Sequence, residues 1–137
     1  NEAIADGAIC LSWNRRTENL LTPTLLTQVT ADMKVTREEV FWPVATLTTF
    51  ENLDDAIAQI NESSFGLQVG IFTDSQKNLW KVFQEVEVGG VIHNDVPSFR
   101  ADMMPYGGVK DSGLGREGVK YAIQDMLEDR LLVLRTN

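Results

Sequence analysis

The succession of apolar segments in the middle of the chain most constrains what it can fold into. Residues 44–50 (VATLTTF), 67–73 (LQVGIFT) and 91–94 (VIHN) are rich in β-branched and apolar side chains, which favours strands. Between them lie two segments with helical spacing of apolar residues, which begin after the capping residues Asn52 and Ser75. Strands that alternate with helices are typical of a parallel sheet with crossover helices. The sequence therefore predicts an α/β fold.

Further elements flank this central part. Residues 2–6 (EAIAD) have the pattern of the last turn of a helix, which Gly7 ends, and residues 24–29 (TLLTQV) favour a strand. Near the other end, residues 116–127 show helical spacing with apolar side chains on one face. Residues 131–134 (LLVL) predict a terminal strand, which needs a cover because an exposed apolar edge promotes aggregation.

A long segment without any periodic pattern precedes the last helix. Residues 95–115 contain two prolines and four glycines, which predicts a loop. Loops of this length inside a compact domain are usually functional or disordered. We therefore expect site residues in this loop.

Charge and residue counts exclude several classes of function. Twenty acidic and twelve basic residues give a net charge of -8, which repels phosphate backbones and anionic lipids, so neither nucleic acid nor a membrane is expected as a partner. No apolar run approaches the roughly 20 residues that span a bilayer, and no signal-peptide pattern is present, so we expect a cytoplasmic protein. One cysteine and one histidine exclude an internal disulfide and a metal site built from several thiolates or imidazoles.

Neither Cys10 nor His93 has the neighbours of a catalytic residue. Cys10 lies in an apolar run (AICL) without a nearby base, which favours a buried packing role over a nucleophile. His93 and Asp95 alternate at a strand end, where α/β proteins often keep active-site groups, but no serine or cysteine nucleophile accompanies them. A solvated or capping histidine is the favoured interpretation.

Three glycines, Gly113, Gly115 and Gly118, match the spacing of the dinucleotide-binding fingerprint. That fingerprint needs a strand directly before its first glycine and an acidic residue about 20 positions later. Neither requirement is met, because residues 109–112 (VKDS) precede the motif and Val133 stands at the later position. The favoured interpretation is a tight turn into the last helix.

A pair of carboxylates, Glu38 and Glu39, precedes an aromatic and proline-containing turn. Neighbouring residues on a helical turn point in different directions, so a general acid–base pair is not expected here. One of the two carboxylates is still suited to accept hydrogen bonds from a hydroxylated ligand. The sequence alone leaves open which one.

Taken together, three segments resemble the C-terminal part of the aldehyde dehydrogenase superfamily. They are residues 38–44 (EEVFWPV), 61–67 (NESSFGL) and, most specifically, 104–118 (MPYGGVKDSGLGREG). The resemblance implies an α/β fold in which residues 1–129 belong to the parallel-sheet αβα catalytic domain and residues 130–137 form an oligomerisation strand. In that family the nucleophilic cysteine, the general-base glutamate and the dinucleotide-binding strands lie upstream of this part. The chain therefore resembles a fragment, and we expect no catalytic residue and no metal ligand in it.

The resemblance also implies residues that bind the cofactor, NAD or NADP. Glu39 matches the glutamate that hydrogen-bonds the nicotinamide ribose, and Phe41 matches the aromatic residue beside the nicotinamide ring. A carboxylate accepts from two vicinal hydroxyls, and an aromatic face suits a flat ring. Trp42 stands where the family usually has a small residue, which bears on the geometry of the cofactor.

For the substrate, the resemblance points to the loop of residues 95–115. Phe99 and Tyr106 match aromatic residues that line the substrate funnel of the family. Arg100 follows Phe99, and its guanidinium is a candidate to bind an anionic end of the substrate. The alternative for Arg100 is a solvated loop arginine.

The intact enzyme implied by this resemblance oxidises an aldehyde to a carboxylic acid. The reaction passes through a thiohemiacetal, hydride transfer to NAD or NADP and thioester hydrolysis. The implied partners are the remainder of the chain, the aldehyde, and further copies of the subunit in a dimer or tetramer. The fragment alone is expected to be inactive. The alternative is a stand-alone binding or assembly module that keeps the fold without catalysis.

Overall fold

The computed structural model describes residues 1–12 and 14–136. The chain divides into two compact units, Asn1–Ser63 and Ser64–Asn137. The helices are α1 (Glu2–Ala5), α2 (Lys34–Arg37), α3 (Leu53–Glu62), α4 (Gln76–Glu85) and α5 (Val119–Asp125). The strands are β1 (Ile9–Ser12), β2 (Arg16–Thr17), β3 (Leu20–Leu21), β4 (Thr24–Thr27), β5 (Val44–Leu47), β6 (Phe65–Gly66), β7 (Gln68–Ile71), β8 (Gly90–His93) and β9 (Val109–Lys110).

The first unit is built on a sheet with the strand order β1-β4-β5. β1 runs antiparallel to β4, and β4 runs parallel to β5 with Thr24 opposite Val44. α1 ends where Gly7 adopts a φ of +110°, which lets the chain turn back into β1. The buried side chains that form the core of this unit are Ala3, Ala8, Leu26 and Met33.

The second unit contains a β-α-β crossover. β7 and β8 are parallel, with Gln68 opposite Gly90, and α4 connects them. The buried side chains Val82 and Val86 lie on α4 and just after it. β6 pairs with β9 in an antiparallel ladder, and an isolated antiparallel bridge joins Tyr106 and Glu117.

The central helices begin where the sequence predicts. The Asn52 side-chain oxygen accepts the N–H of Asp55 at 3.0 Å, and Ser75 Oγ accepts the N–H of Asn78 at 3.2 Å. Both caps satisfy a donor that the first helical turn leaves free. The predicted parallel pairing is present between β4 and β5 and between β7 and β8. These two pairs belong to different sheets, whereas the order of elements in the sequence suggested a single parallel sheet.

The C-terminal region differs from the prediction. α5 begins only at Val119, because Gly118 has a φ of +101°, outside the helical range. Residues 127–136 contain neither helix nor strand, which corrects the strand predicted at 131–134. A strand requires a hydrogen-bonded neighbour, and the described residues provide none for this segment. Residue 137, the last of the predicted oligomerisation strand, lies outside the described residues.

The solvent-accessible surface of the chain is larger than that of a compact domain of the same mass. Its accessible surface is 11009 Å² for a mass of 15.3 kDa. A folded monomer of that mass exposes about 7,100 Å², and two separate domains of half that mass expose about 8,600 Å². Val119 and Ile123, the predicted buried face of α5, are 67% and 50% exposed. Apolar faces that the sequence pattern predicts to be buried are therefore exposed to solvent in this structure.

Among the described residues, no helix combines the length and apolar character needed to cross a membrane.

Candidate functional site

The first candidate site is a turn in the first unit between α2 and β5. Two hydrogen bonds fix the second half of this turn: the N–H of Val44 donates to the Trp42 carbonyl at 2.7 Å, and the N–H of Thr24 donates to the Pro43 carbonyl at 2.8 Å. The first bond closes a three-residue turn around Pro43, whose ring presets its φ. The second ties the turn to the start of β4, so its path is fixed by the sheet.

Phe41 has an unusual backbone conformation in this turn. Its φ is +54°, in the left-handed region that bulky residues rarely adopt, at a cost of about 1–3 kcal/mol. The following proline confines Trp42 to extended backbone, so the change in chain direction falls on Phe41. The residue is 82% exposed. A strained residue with an open aromatic face is suited to a flat ligand.

Glu39 lines a cavity of about 530 Å³ in the same unit. Arg16, Lys34 and Trp42 contribute to the same lining. Within the described part of the chain, the Glu39 carboxylate forms no hydrogen bond or ion pair. Its oxygens are therefore available to hydroxyl donors of a ligand in this cavity.

Lys34, a cation that lines this cavity, is paired with another residue. Lys34 Nζ lies 3.0 Å from a carboxylate oxygen of Glu2. The hydrogen bond and the negative charge of Glu2 raise the pKa of Lys34. Lys34 is therefore charged and already paired with Glu2, so it leaves the Glu39 carboxylate open to a ligand.

The second candidate site lies in the second unit, where the structure brings Arg100 and Tyr106 together. Arg100 Nη2 donates to Glu117 Oε2 in an ion pair. The guanidinium carbon lies 4.6 Å from the centre of the Tyr106 ring, in a cation–π contact. The Phe99 carbonyl accepts a hydrogen bond from the Gln68 side chain at 3.3 Å. Arg100 and Tyr106, two of the residues predicted to face the substrate, are thus in contact, and the third, Phe99, is tied to Gln68 through its backbone.

A close backbone approach places the loop that carries Tyr106. A Cβ atom on Gly89 would lie 1.7 Å from the carbonyl oxygen of Gly107. Van der Waals contact between a carbon and an oxygen needs about twice that distance, so only glycine fits at position 89. The loop of residues 105–108 can therefore pass directly against the start of β8.

The three glycines of the fingerprint-like motif form a turn, as predicted. Gly113, Gly115 and Gly118 have φ values of +129°, +72° and +101°. Arg116 Nη1 donates to two backbone carbonyls of this region at 2.9 and 2.7 Å. β9 ends at Lys110, so no strand runs directly into the first glycine, which is what a pyrophosphate cradle would require.

His93 and Asn94 fix the turn before α4. His93 Nε2 lies within hydrogen-bond distance of the Thr73 carbonyl oxygen, 2.8 Å away, and the Asn94 side-chain oxygen accepts the N–H of Thr73 at 3.0 Å. This agrees with the capping interpretation of His93. Cys10 is half-buried, and its thiol donates to the Ser12 carbonyl at 3.3 Å, which agrees with a packing role. In the described part of the chain, no group of three or more His, Cys, Asp or Glu residues could hold a metal ion.

Two residues of the second site were missed by the sequence analysis. Glu117 pairs with Arg100 across 17 positions, and Gln68 binds the Phe99 carbonyl across 31 positions. Helical and strand spacing rules relate residues only a few positions apart. The one available signal was that Glu117 belongs to the specific segment 104–118.

Comparison with known sequences identifies relatives of the whole chain. The profile described as "Aldehyde dehydrogenase family" matches residues 1–132. The 3-sulfolactaldehyde dehydrogenase of Priestia aryabhattai is 46% identical over 133 residues, which are 97% of this chain and 28% of that protein.

Solved structures agree with this result. Aldehyde dehydrogenase 21 from Physcomitrella patens, in complex with the reaction product succinate, is 43% identical with a TM-score of 0.94 over 98% of this chain and 28% of that one. Glyceraldehyde-3-phosphate dehydrogenase GapN from Methanocaldococcus jannaschii, complexed with NADP, is 41% identical with a TM-score of 0.84 over 91% of this chain and 27% of that one.

These likenesses confirm the predicted α/β fold and cofactor class. The solved structures that resemble this chain include both NAD-dependent and NADP-dependent enzymes. The chain spans 28% of the length of the curated relative described above. Because the family profile covers nearly all of it, this chain belongs to the aldehyde dehydrogenase family.

Proposed function

We propose that this chain is the C-terminal part of an NAD(P)-dependent aldehyde dehydrogenase, with residues 1–129 in the catalytic domain and residues 130–137 as an oligomerisation segment that becomes a strand only when it pairs with another subunit. One observation carries the proposal: a relative matches 97% of this chain with only 28% of its own length. The exposed surface supports it, because a closed domain of this mass would expose about a third less. The rest of the enzyme would cover faces such as that of α5.

The groups that perform the chemistry lie outside this chain in our proposal. Cys10, its single cysteine, is half-buried and hydrogen-bonded to a backbone carbonyl, unlike an activated nucleophile. We therefore place the nucleophilic cysteine and the general base in the remainder of the enzyme, while this part supplies binding surface. A single unpaired cysteine also suits the reducing cytoplasm, where we expect the enzyme to work.

Glu39 and Phe41 are the residues that would hold the cofactor. When bound, NAD or NADP supplies the hydride acceptor. The Glu39 carboxylate accepts hydrogen bonds from the ribose hydroxyls, and Phe41 offers its exposed ring to the nicotinamide. Trp42 lines the same cavity as Glu39 and would narrow the space beside the cofactor.

We infer that the substrate is an aldehyde with an anionic end. The named substrates and product of the relatives described above carry a sulfonate, a carboxylate or a phosphate. Arg100 is suited to such groups, because a guanidinium binds them through paired, charge-assisted hydrogen bonds. Phe99 and Tyr106 would form the apolar wall beside it. Other relatives are lactaldehyde dehydrogenases, and lactaldehyde is uncharged, so it is the appropriate comparison substrate.

The test of the activity uses the full-length enzyme with NAD or NADP. Succinate semialdehyde or 3-sulfolactaldehyde should yield reduced nicotinamide and the corresponding acid in equal amounts. A folded full-length protein that reduces neither cofactor with any aldehyde would contradict the proposal. That result would support the alternative of a binding or assembly module.

The exposed leucine-rich segment of residues 131–134 leads us to expect self-association. Its side chains are 69–87% exposed, and the sheet edge of a second copy would provide both cover and hydrogen-bond partners. Deleting residues 130–137 should shift the enzyme from a dimer or tetramer towards monomer in analytical ultracentrifugation. Arg130→Ala alone, which leaves the leucines in place, should keep the oligomer. A monomer both with and without the segment would contradict the oligomerisation role.

A further inference from the structure

The side chain of Arg100 is restrained from two directions. Its Nη2 donates to Glu117 Oε2, and its guanidinium carbon lies 4.6 Å from the centre of the Tyr106 ring. Within the described residues, Nε and Nη1 of Arg100 form no hydrogen bond. The guanidinium is thus restrained at Nη2 by Glu117 and across one face by Tyr106. Its other N–H groups can donate to a further acceptor.

Glu117 and Tyr106, which restrain Arg100, are joined to each other through the backbone. The N–H of Tyr106 donates to the Glu117 carbonyl at 3.2 Å, and the N–H of Glu117 donates to the Tyr106 carbonyl at 2.6 Å. The backbone after Glu117 is equally confined, because a Cβ on Gly118 would lie 2.6 Å from the Met104 carbonyl oxygen. The backbone segments that carry the carboxylate and the ring are therefore fixed relative to each other.

Folding stability does not explain this arrangement. The side chains of Arg100 and Glu117 are 52% and 60% exposed, and ion pairs this exposed contribute little to stability. An arginine that receives a ligand has a different requirement. If its long side chain is already ordered before the ligand binds, the entropy cost of ordering it does not weaken binding.

We propose that Glu117 is a positioning residue for anionic substrates: it holds Arg100 against Tyr106 so that the remaining N–H groups of the guanidinium receive the anionic end of the aldehyde. This inference rests on the proposed function, since it requires Arg100 to bind the substrate. Glu117 acts through Arg100 and does not touch the substrate.

A double-mutant cycle in the full-length enzyme tests the positioning role. The readout is the ratio of kcat/KM for succinate semialdehyde to kcat/KM for lactaldehyde. Glu117→Ala should lower this ratio about tenfold, mainly through KM of the anionic substrate, because small displacements of a binding group are costly. Glu117→Gln, which retains the shape and one acceptor oxygen, should lower it less. With Arg100→Leu already present, Glu117→Ala should cause no further loss of the ratio.

A matched control removes another exposed carboxylate of an ion pair. Glu85→Ala breaks the pair with Lys81 on α4 and should leave the ratio unchanged. An equal loss on both aldehydes in Glu117→Ala, or additive effects of the two substitutions, would overturn the positioning role while the anion-binding role of Arg100 stands. If Arg100→Leu itself causes no selective loss, the anion-binding role fails, and the inference fails with it.

Discussion

Replacing Arg100 with leucine in the full-length enzyme should lower kcat/KM for an anionic aldehyde about ten- to a hundredfold, with a much smaller effect on lactaldehyde. A charge-assisted contact is worth about 1.5–3 kcal/mol, which corresponds to that range. Leucine retains part of the apolar stem of the arginine side chain and removes every donor. Steady-state kinetics with succinate semialdehyde and lactaldehyde provide the measurement.

One further variant separates geometry from charge at this position, and a second serves as a control. Arg100→Lys keeps the positive charge but loses the planar arrangement of donors. We therefore expect it to lower kcat/KM for the anionic aldehyde selectively, but less than Arg100→Leu does. Arg15→Leu, which removes an exposed arginine in the first unit, should leave the selectivity as it is. An equal loss on both aldehydes in Arg100→Leu would mean that the arginine maintains the loop. No loss on either would make it a solvated surface residue.

The second large effect is expected at Gly89. In Gly89→Ala the new methyl group would overlap the Gly107 carbonyl oxygen, 1.7 Å away, so the backbone of β8 or of the loop must move. Overpacking of this kind costs about 1–3 kcal/mol, and we expect the free energy of unfolding to fall by that amount. The same movement displaces Tyr106 and should reduce the preference for anionic aldehydes. Denaturant unfolding and the ratio of kcat/KM values measure the two effects.

The neighbouring glycine provides the control. In Gly90→Ala the nearest contact of the new methyl group is Gln68 Nε2 at 3.2 Å, the end of a flexible side chain. Gly90→Ala should therefore destabilise the protein much less than Gly89→Ala. Equal effects of the two substitutions would show that the contact between Gly89 and Gly107 does not fix the loop.

Local features of the fold could be predicted from the sequence. Asn52 and Ser75 cap their helices as expected, because a cap depends on residues only three positions apart. The turn of Gly113, Gly115 and Gly118 was also predictable, since positive φ values favour glycine.

Features that depend on distant or additional chain could not be predicted in this way. The terminal strand at 131–134 was expected from its apolar residues, but a strand needs a partner that the described residues do not contain. The pair of Arg100 and Glu117 follows from the loop path across 17 positions, for which no spacing rule exists. The positive φ of Phe41 also escaped prediction, because it results from the fixed turn at Pro43 together with the hydrogen bonds to the sheet.

Aldehyde-dependent formation of reduced nicotinamide, measured side by side for residues 1–137 and for the full-length enzyme, distinguishes a part of a dehydrogenase from a complete catalyst. We expect NADH or NADPH from the full-length enzyme with an anionic aldehyde and none from residues 1–137, whose only cysteine is the half-buried Cys10. Turnover by residues 1–137 that disappears in Cys10→Ser would contradict both the assignment as a part and the packing role of that cysteine.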